Sequence, residues 1–213
     1  MRYLLIWAAA AALALPAAAT AATWDLDPAH TSVQFSVRHL MVSNVRGEFG
    51  KVSGTVQGEE ADPIHAKIEA EIDAASINTR IEKRDTHLRS ADFLDVAKYP
   101  KITFVSTKIE PGSEGHVKVS GDLTLHGVTR PVVLDVEGPT PEMKDPWGKT
   151  RAGAQATTKI NRKDFGIAWN QTLDAGGVAV GDELTITIDV EATKRTAGAA
   201  ETSLHQTSAA EKK

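Results

Sequence analysis

The sequence predicts an all-β fold, an antiparallel barrel or sandwich of about eight strands carrying one helix, and three observations predict it. Between residues 24 and 194 apolar side chains recur at every second position in one short run after another. Turn-forming pairs separate the runs: Asp62-Pro63, Pro111-Gly112, His126-Gly127, Gly138-Pro139 and Gly176-Gly177. Only INTRIEKRDTHLRSADFL departs from the two-residue period in a way that suits a helix, so a βαβ design with a helix between strands is disfavoured. Eight antiparallel strands can close on themselves, which removes exposed edges and leaves an interior able to hold one small ligand.

In chain order, Arg2 precedes an apolar run over residues 3–15 and a small-residue stretch over 16–22. The run is shorter than the roughly 18 apolar residues of a membrane helix, and Ala17-Ala18-Ala19 and Ala19-Thr20-Ala21 both offer an A-x-A cleavage site. Residues 1–22 are therefore expected to be a cleaved secretory signal peptide. No later run approaches membrane-helix length, so the exported product is not expected to be integral to a membrane. The absence of cysteine excludes disulfides, thiolate nucleophiles and lipid attachment at cysteine. A formal net charge of −4 argues against nucleic acid or an anionic membrane as a partner, since both favour a basic surface.

The strands follow. Val33, Phe35, Val37 and His39 alternate with Ser32, Gln34, Ser36 and Arg38. GKVSGTVQG is the next, and then Ile64, Ala66, Ile68, Ala70 and Ile72 alternate with His65, Lys67, Glu69, Glu71 and Asp73. The period recurs in KITFVSTKIE, HVKVSGDLTLHG, TRPVVLDVEG, RAGAQATTKINR and DELTITIDVEATK. Several inward positions are small, namely Ala66, Ala70, Gly121, Ala152 or Gly153, Ala154 and Ala156. They either make room inside a barrel or offset large neighbours. The last stretch, from residue 195 to 213, has almost no large apolar residue and is expected to be disordered. One domain, residues 23–194, remains.

The helix is expected over about residues 79–90, with Asn78 or Thr79 as N-cap and Pro100 limiting its reach. Ile81 and Leu88 fall on one face, and Asp85 and Arg89 are spaced i,i+4 to pair. The charge density of RDTHLRSADF invites a catalytic reading, with Asp85 or Asp92 as base and His87 as proton shuttle. Asp85 and His87 nevertheless stand two apart on a helix and point about 200° away from one another, so they make no dyad. The alternatives are a solvated face, with Leu88, Phe93 and Leu94 plugging the core, or a cap over a barrel mouth whose polar side chains meet a ligand's head.

Other chemistry finds little support. The histidines are dispersed, without HExxH or an i,i+4 pair, and no metal site is expected. GxSxG, SxxK, GxGxxG and the P-loop are all missing. The residues lean toward a binder without a cofactor.

DPAHTSVQFSVRHL, RDTHLRSADFLDVAKYPKITF, GDLTLHGVTRPVVLDV, DPWGKTRAGAQATTKINRKDFGIAWN and AGGVAVGDELTITIDVEA together resemble the YceI-like family, across essentially all of residues 24–194. The resemblance implies an elongated, lipocalin-like barrel of an exported, periplasmic protein that binds a polyisoprenoid lipid, such as a prenyl quinone or a polyprenyl phosphate. It supplies no catalytic residues. The expected tail lining is Phe35, Val37, Phe49, Ile68, Phe104, Leu123 and Leu125, with Phe165 and Trp169 closing the later strands. His39, Arg84, Asp85 and His87 are the candidates for the head. Burying a methylene contributes about 0.8 kcal/mol, so four or five isoprene units offer on the order of 10 kcal/mol after ordering costs. One charge-assisted hydrogen bond adds only about 1.5–3 kcal/mol. The expected function is a non-enzymatic lipid carrier or store. Two alternatives stand beside it, an enzyme acting on an isoprenoid head group and a ligand-free stress-response or interaction module, and pairing of two barrels as a homodimer is left open.

Overall fold

The computed structural model describes residues 22–59, 62–113, 115–174 and 176–196. The signal peptide and the disordered tail expected from sequence lie outside these residues, apart from Ala22 and the tail's first two positions.

Twelve strands form one antiparallel sheet: β1 (Ala22–Leu26), β2 (Ser32–His39), β3 (Ser43–Phe49), β4 (Val52–Glu59), β5 (Asp62–Asp73), β6 (Ile77–Asn78), β7 (Lys101–Pro111), β8 (His116–Leu125), β9 (Val128–Glu137), β10 (Met143–Lys144), β11 (Thr150–Asn161) and β12 (Val180–Lys194). They amount to eight staves, because four of them continue another strand across a break. β1 and β2 lie end to end along one edge of β12. β4 and β3 follow them as the next stave, and β5 and β6 as the one after. β9 and β10 run in line along β11. The other edge of β12 pairs with β11 from Arg151↔Thr193 to Asn161↔Glu183, and this ladder closes the barrel.

The regular alternation of β2, β5, β7, β8, β9, β11 and β12 makes them legible in sequence. Alternation does not mark β1 and β3 as separate strands. In β3 the inward positions are Val45, Gly47 and Phe49, and the glycine interrupts the apolar period. Its reason is tertiary: Gly47 lies opposite Phe35, and a Cβ there would collide with the Phe35 ring and with Thr79.

The single α-helix among the described residues, α1 (Glu82–Arg89), is shorter than expected, and its details correct the sequence reading. Its N-cap position is Ile81, which supplies no side-chain cap. Asn78 instead accepts the Arg80 N–H (2.8 Å), and Arg80 takes a left-handed φ of 68° that turns the chain into the helix. Asp85 does not pair with Arg89. It turns back to Thr79, while Arg89 bonds the carbonyls of Ala75 (2.9 Å) and Ile77 (2.9 Å) and the carboxylate of Glu82 (3.1 Å). A carboxylate beside two unsatisfied donors at a helix start gains more there than from an exposed ion pair.

α1 and the segment after it close one end of the barrel. There Phe93, Leu94, Phe165 and Ile167 pack on Ile77, Ile102, Leu125 and Ile160, all buried, to make the principal core cluster. Among the described residues no helix is long and apolar enough to cross a membrane.

Candidate functional site: the barrel interior

A cavity of about 300 Å³ runs inside the barrel, and the surface turned toward it is apolar. Pleating explains this, since alternate side chains of each strand face inward and those positions are aliphatic or aromatic apart from Thr158 of β11, whose hydroxyl donates to the Val133 carbonyl (2.8 Å). β12 contributes Leu184, Ile186, Ile188 and Val190, and β2 contributes Val33, Phe35 and Val37. β8 and β9 add Val119, Leu123, Leu125, Leu134 and Val136. Along β12 the lining extends from Val180 to Val190, about 30 Å of strand at the usual rise. The space is therefore long and narrow. At the helix end it meets Leu88, Phe93 and Leu94, and at the other end Leu26, Thr31 and Ala154.

Of the tail residues expected from sequence, the structure places Phe35, Val37, Phe49, Ile68, Phe104, Leu123 and Leu125 on the cavity wall. Phe165 and Trp169 stand outside it. Phe165 is 2% exposed within the packed helix end, and Trp169 covers that end from outside, its ring 5.0 Å from those of His87 and Phe93. Both follow β11 rather than belonging to it, so strand periodicity does not place them. The inward residues of β12 are missing from the expected lining, although the alternation in LTITIDV carries the signal.

The small inward residues divide into two kinds. Ala70, Ala154 and Ala156 line the cavity, whereas Ala66 and Ala152 do not. Gly121 leaves no free room, because the Phe104 ring occupies the place of its absent side chain.

The head candidates do not form one site. Asp85, 3% exposed, accepts the Thr79 N–H (2.9 Å) and the Thr79 hydroxyl. Arg84 donates to the Thr79 hydroxyl (2.7 Å) and carbonyl (2.7 Å). These two charges thus fix the loop before α1. His87 bonds Asp92 (2.9 Å) and meets Phe93 and Trp169 edge-on. His39 sits at the end of β2, between Ser43 and Val180.

Two arginines unremarked in the sequence organise the ends. Arg162, 3% exposed, borders the cavity at the helix end. All its nitrogens are engaged, with the carbonyls of Gly181 (2.9 Å), Ile167 (2.8 Å), Trp169 (2.8 Å) and Val180 (3.4 Å) and with Asp182 (3.2 Å). Burial pulls its guanidinium below the usual arginine value, which Asp182 opposes. Its work is to tie the segment after β11 onto the start of β12. At the opposite end Arg151 joins Asp145 (2.7 Å), Asp27 (2.6 Å) and Glu191. The Arg151 guanidinium, bonded to each, holds the Asp27 carboxyl well below the usual carboxylate range and lowers that of Asp145. Asp27, His30 and Glu191 bring potential metal-ligand atoms within 4.8 Å of one another, but Arg151 already supplies the positive charge between the two carboxylates.

Comparison with known proteins agrees with this architecture. A family profile described as the YceI-like domain matches residues 24–192. A UPF0312 protein of Vibrio cholerae is 41% identical over 160 residues, covering 74% of this chain and 84% of that protein. The crystal structure of the Campylobacter jejuni YCEI protein aligns at 34% identity with a TM-score of 0.63, over 74% of this chain and 90% of that one. A polyisoprenoid binding domain from Saccharophagus degradans, implicated in plant cell wall breakdown, shares the fold at 18% identity and a TM-score of 0.59, over 81% of this chain and 98% of that one.

Proposed function

The chain belongs to the YceI-like family, and on that premise we propose that its barrel holds the hydrocarbon tail of one polyisoprenoid lipid and acts as a periplasmic carrier or store, without chemical turnover. The observation that carries this reading is the long cavity with an apolar wall. A branched hydrocarbon fits it, whereas a sugar, nucleotide or peptide would leave polar groups unpaired against carbon. The polyisoprenoid binding domain of Saccharophagus degradans, built on the same fold, supports the choice of ligand class. Tail burial at about 0.8 kcal/mol per methylene supplies most of the affinity, and a prenyl quinone or a polyprenyl phosphate presents the same tail.

The test is native mass spectrometry of the protein exported under its own N-terminal segment, followed by solvent extraction and mass analysis of what is released. A bound species of prenyl mass is the expected result. Ala156→Phe adds bulk at a small, inward position of β11 and fills existing space, so the variant should fold and carry less lipid. An empty, folded wild-type protein from every source would sink the reading and favour an interaction module.

A further inference from the structure

At the end of the barrel opposite α1, residues 145–149 form a turn that presents Trp147 to water with 82% of its surface exposed. The turn is rigidly held. Asp145 accepts the N–H groups of Trp147 (2.9 Å) and Lys149 (2.9 Å) and the Arg151 Nε–H (2.7 Å), and Gly148 takes the left-handed φ of 84° that reverses the chain. Arg151 in turn bonds Asp27 and Glu191, so the base of the turn is tied to the ends of β1, β11 and β12. Flanking Trp147 in the chain are Met143, 64% exposed, and two exposed lysines, Lys144 and Lys149, with no carboxylate partner among the described residues. The carboxylates nearest in the chain are spoken for, Asp145 by Arg151 and Glu142 by Lys194 (2.6 Å).

We propose that this turn is an interfacial anchor that docks the far end of the barrel on an anionic phospholipid bilayer, with Trp147 and Met143 at headgroup depth and Lys144 and Lys149 against lipid phosphates. An indole is apolar over most of its surface with one N–H donor, and it prefers the boundary between hydrocarbon and water. A lysine keeps its stem against apolar groups while its ammonium reaches phosphate. A single exposed turn offers too little area for a stable protein interface, which needs roughly 1,200 Å² or more, whereas a bilayer requires only that a few side chains enter it. The net charge of −4 is an average over the chain, and the docking contact is local to two unmatched cations. The anchor does not depend on what the cavity holds. If the lipid reading also stands, it sets the cavity end at Ala154 and Val190 toward the membrane.

The test is co-sedimentation of the exported protein with phosphatidylcholine vesicles, with and without an anionic loading of about 30% phosphatidylglycerol. Intact mass confirms a common N-terminus in all variants. Wild type should sediment with the anionic vesicles and be released as salt rises. Trp147→Ser should weaken binding about tenfold to both vesicle types. The double variant Lys144→Gln with Lys149→Gln should remove the preference for anionic vesicles and leave binding to phosphatidylcholine unchanged. Val42→Ser, at the exposed β2–β3 tip of the opposite end, serves as the control and should bind as wild type. Wild type that ignores both vesicle types, which would leave the turn as one part of a larger contact with another protein, overturns the proposal. So does Trp147→Ser that binds undiminished, or a loss confined to Val42→Ser. None of these results bears on the lipid content of the cavity, which is read separately by mass.

Discussion

At the scale of the residue, Asp85 and Arg151 show how charge is used here. Asp85 is buried and satisfied by two donors of Thr79, so Asp85→Ala leaves an amide and a hydroxyl without their acceptor. A loss of about 2–4 kcal/mol is expected in urea unfolding, with little change in lipid content. Arg151 yields a pH signature. Its partners Asp27 and Asp145 are shifted down, so the stability they add is present in full above the unfolded carboxylate value of about 4 and is lost as pH falls toward the depressed folded values. Arg151→Met should therefore melt lower than wild type at pH 7, and the gap should narrow progressively below about pH 4. A constant gap across the acid range would contradict the assignment. Neither role is legible in sequence. RDTHLRSADF shows its charges plainly, but the Thr79 backbone that Asp85 and Arg84 serve lies before the helix, and the partners of Arg151 lie as far away as Asp27 and Glu191.

At the scale of the element, period-two alternation carries most of the information. It locates the strands, and because one phase faces inward it also names much of the cavity wall, including Phe35, Ile68, Phe104 and Leu123. It fails where a strand's inward position is filled from across the sheet. Gly47 and Gly121 look like gaps in the pattern, yet each receives a phenylalanine ring from a neighbouring strand. Gly121→Ala should displace Phe104 and cost about 1–3 kcal/mol by overpacking, measured by thermal or chemical unfolding. Ala154→Gly, at a small position facing open cavity, should show no comparable strain. The helix is legible as an element but not at its ends, since Ile81 replaces a side-chain cap and Arg80 makes the turn.

At the scale of the molecule, closure of eight staves around an apolar space follows from strand number and the absence of intervening helices, and both are legible in the order of the residues alone. The width and length of that space are not, because they depend on which small residues face inward and which are covered by rings. A ligand filling the cavity should stabilise the whole barrel. At a free concentration 100 times Kd the gain is about 2.7 kcal/mol, which raises Tm by roughly 5–10 °C for a domain of this size. Solvent-extracted and lipid-loaded protein compared by calorimetry provide the check, and equal melting temperatures would place the lipid outside the barrel.

β12 is the common partner of β1, β2 and β11, and it is the last strand among the described residues. During synthesis the barrel therefore cannot close until residue 194 has been made, and until then three strand edges await their neighbour. Closure pairs Trp24 with Lys194, a contact between the two ends of the fold, so it is a non-local step that can only follow synthesis of the earlier strands. Until then the nascent chain stays open, and for the exported carrier proposed above that is the state a passage through a membrane pore requires. A chain stopped before Val180 should stay protease-sensitive however long it is given to fold.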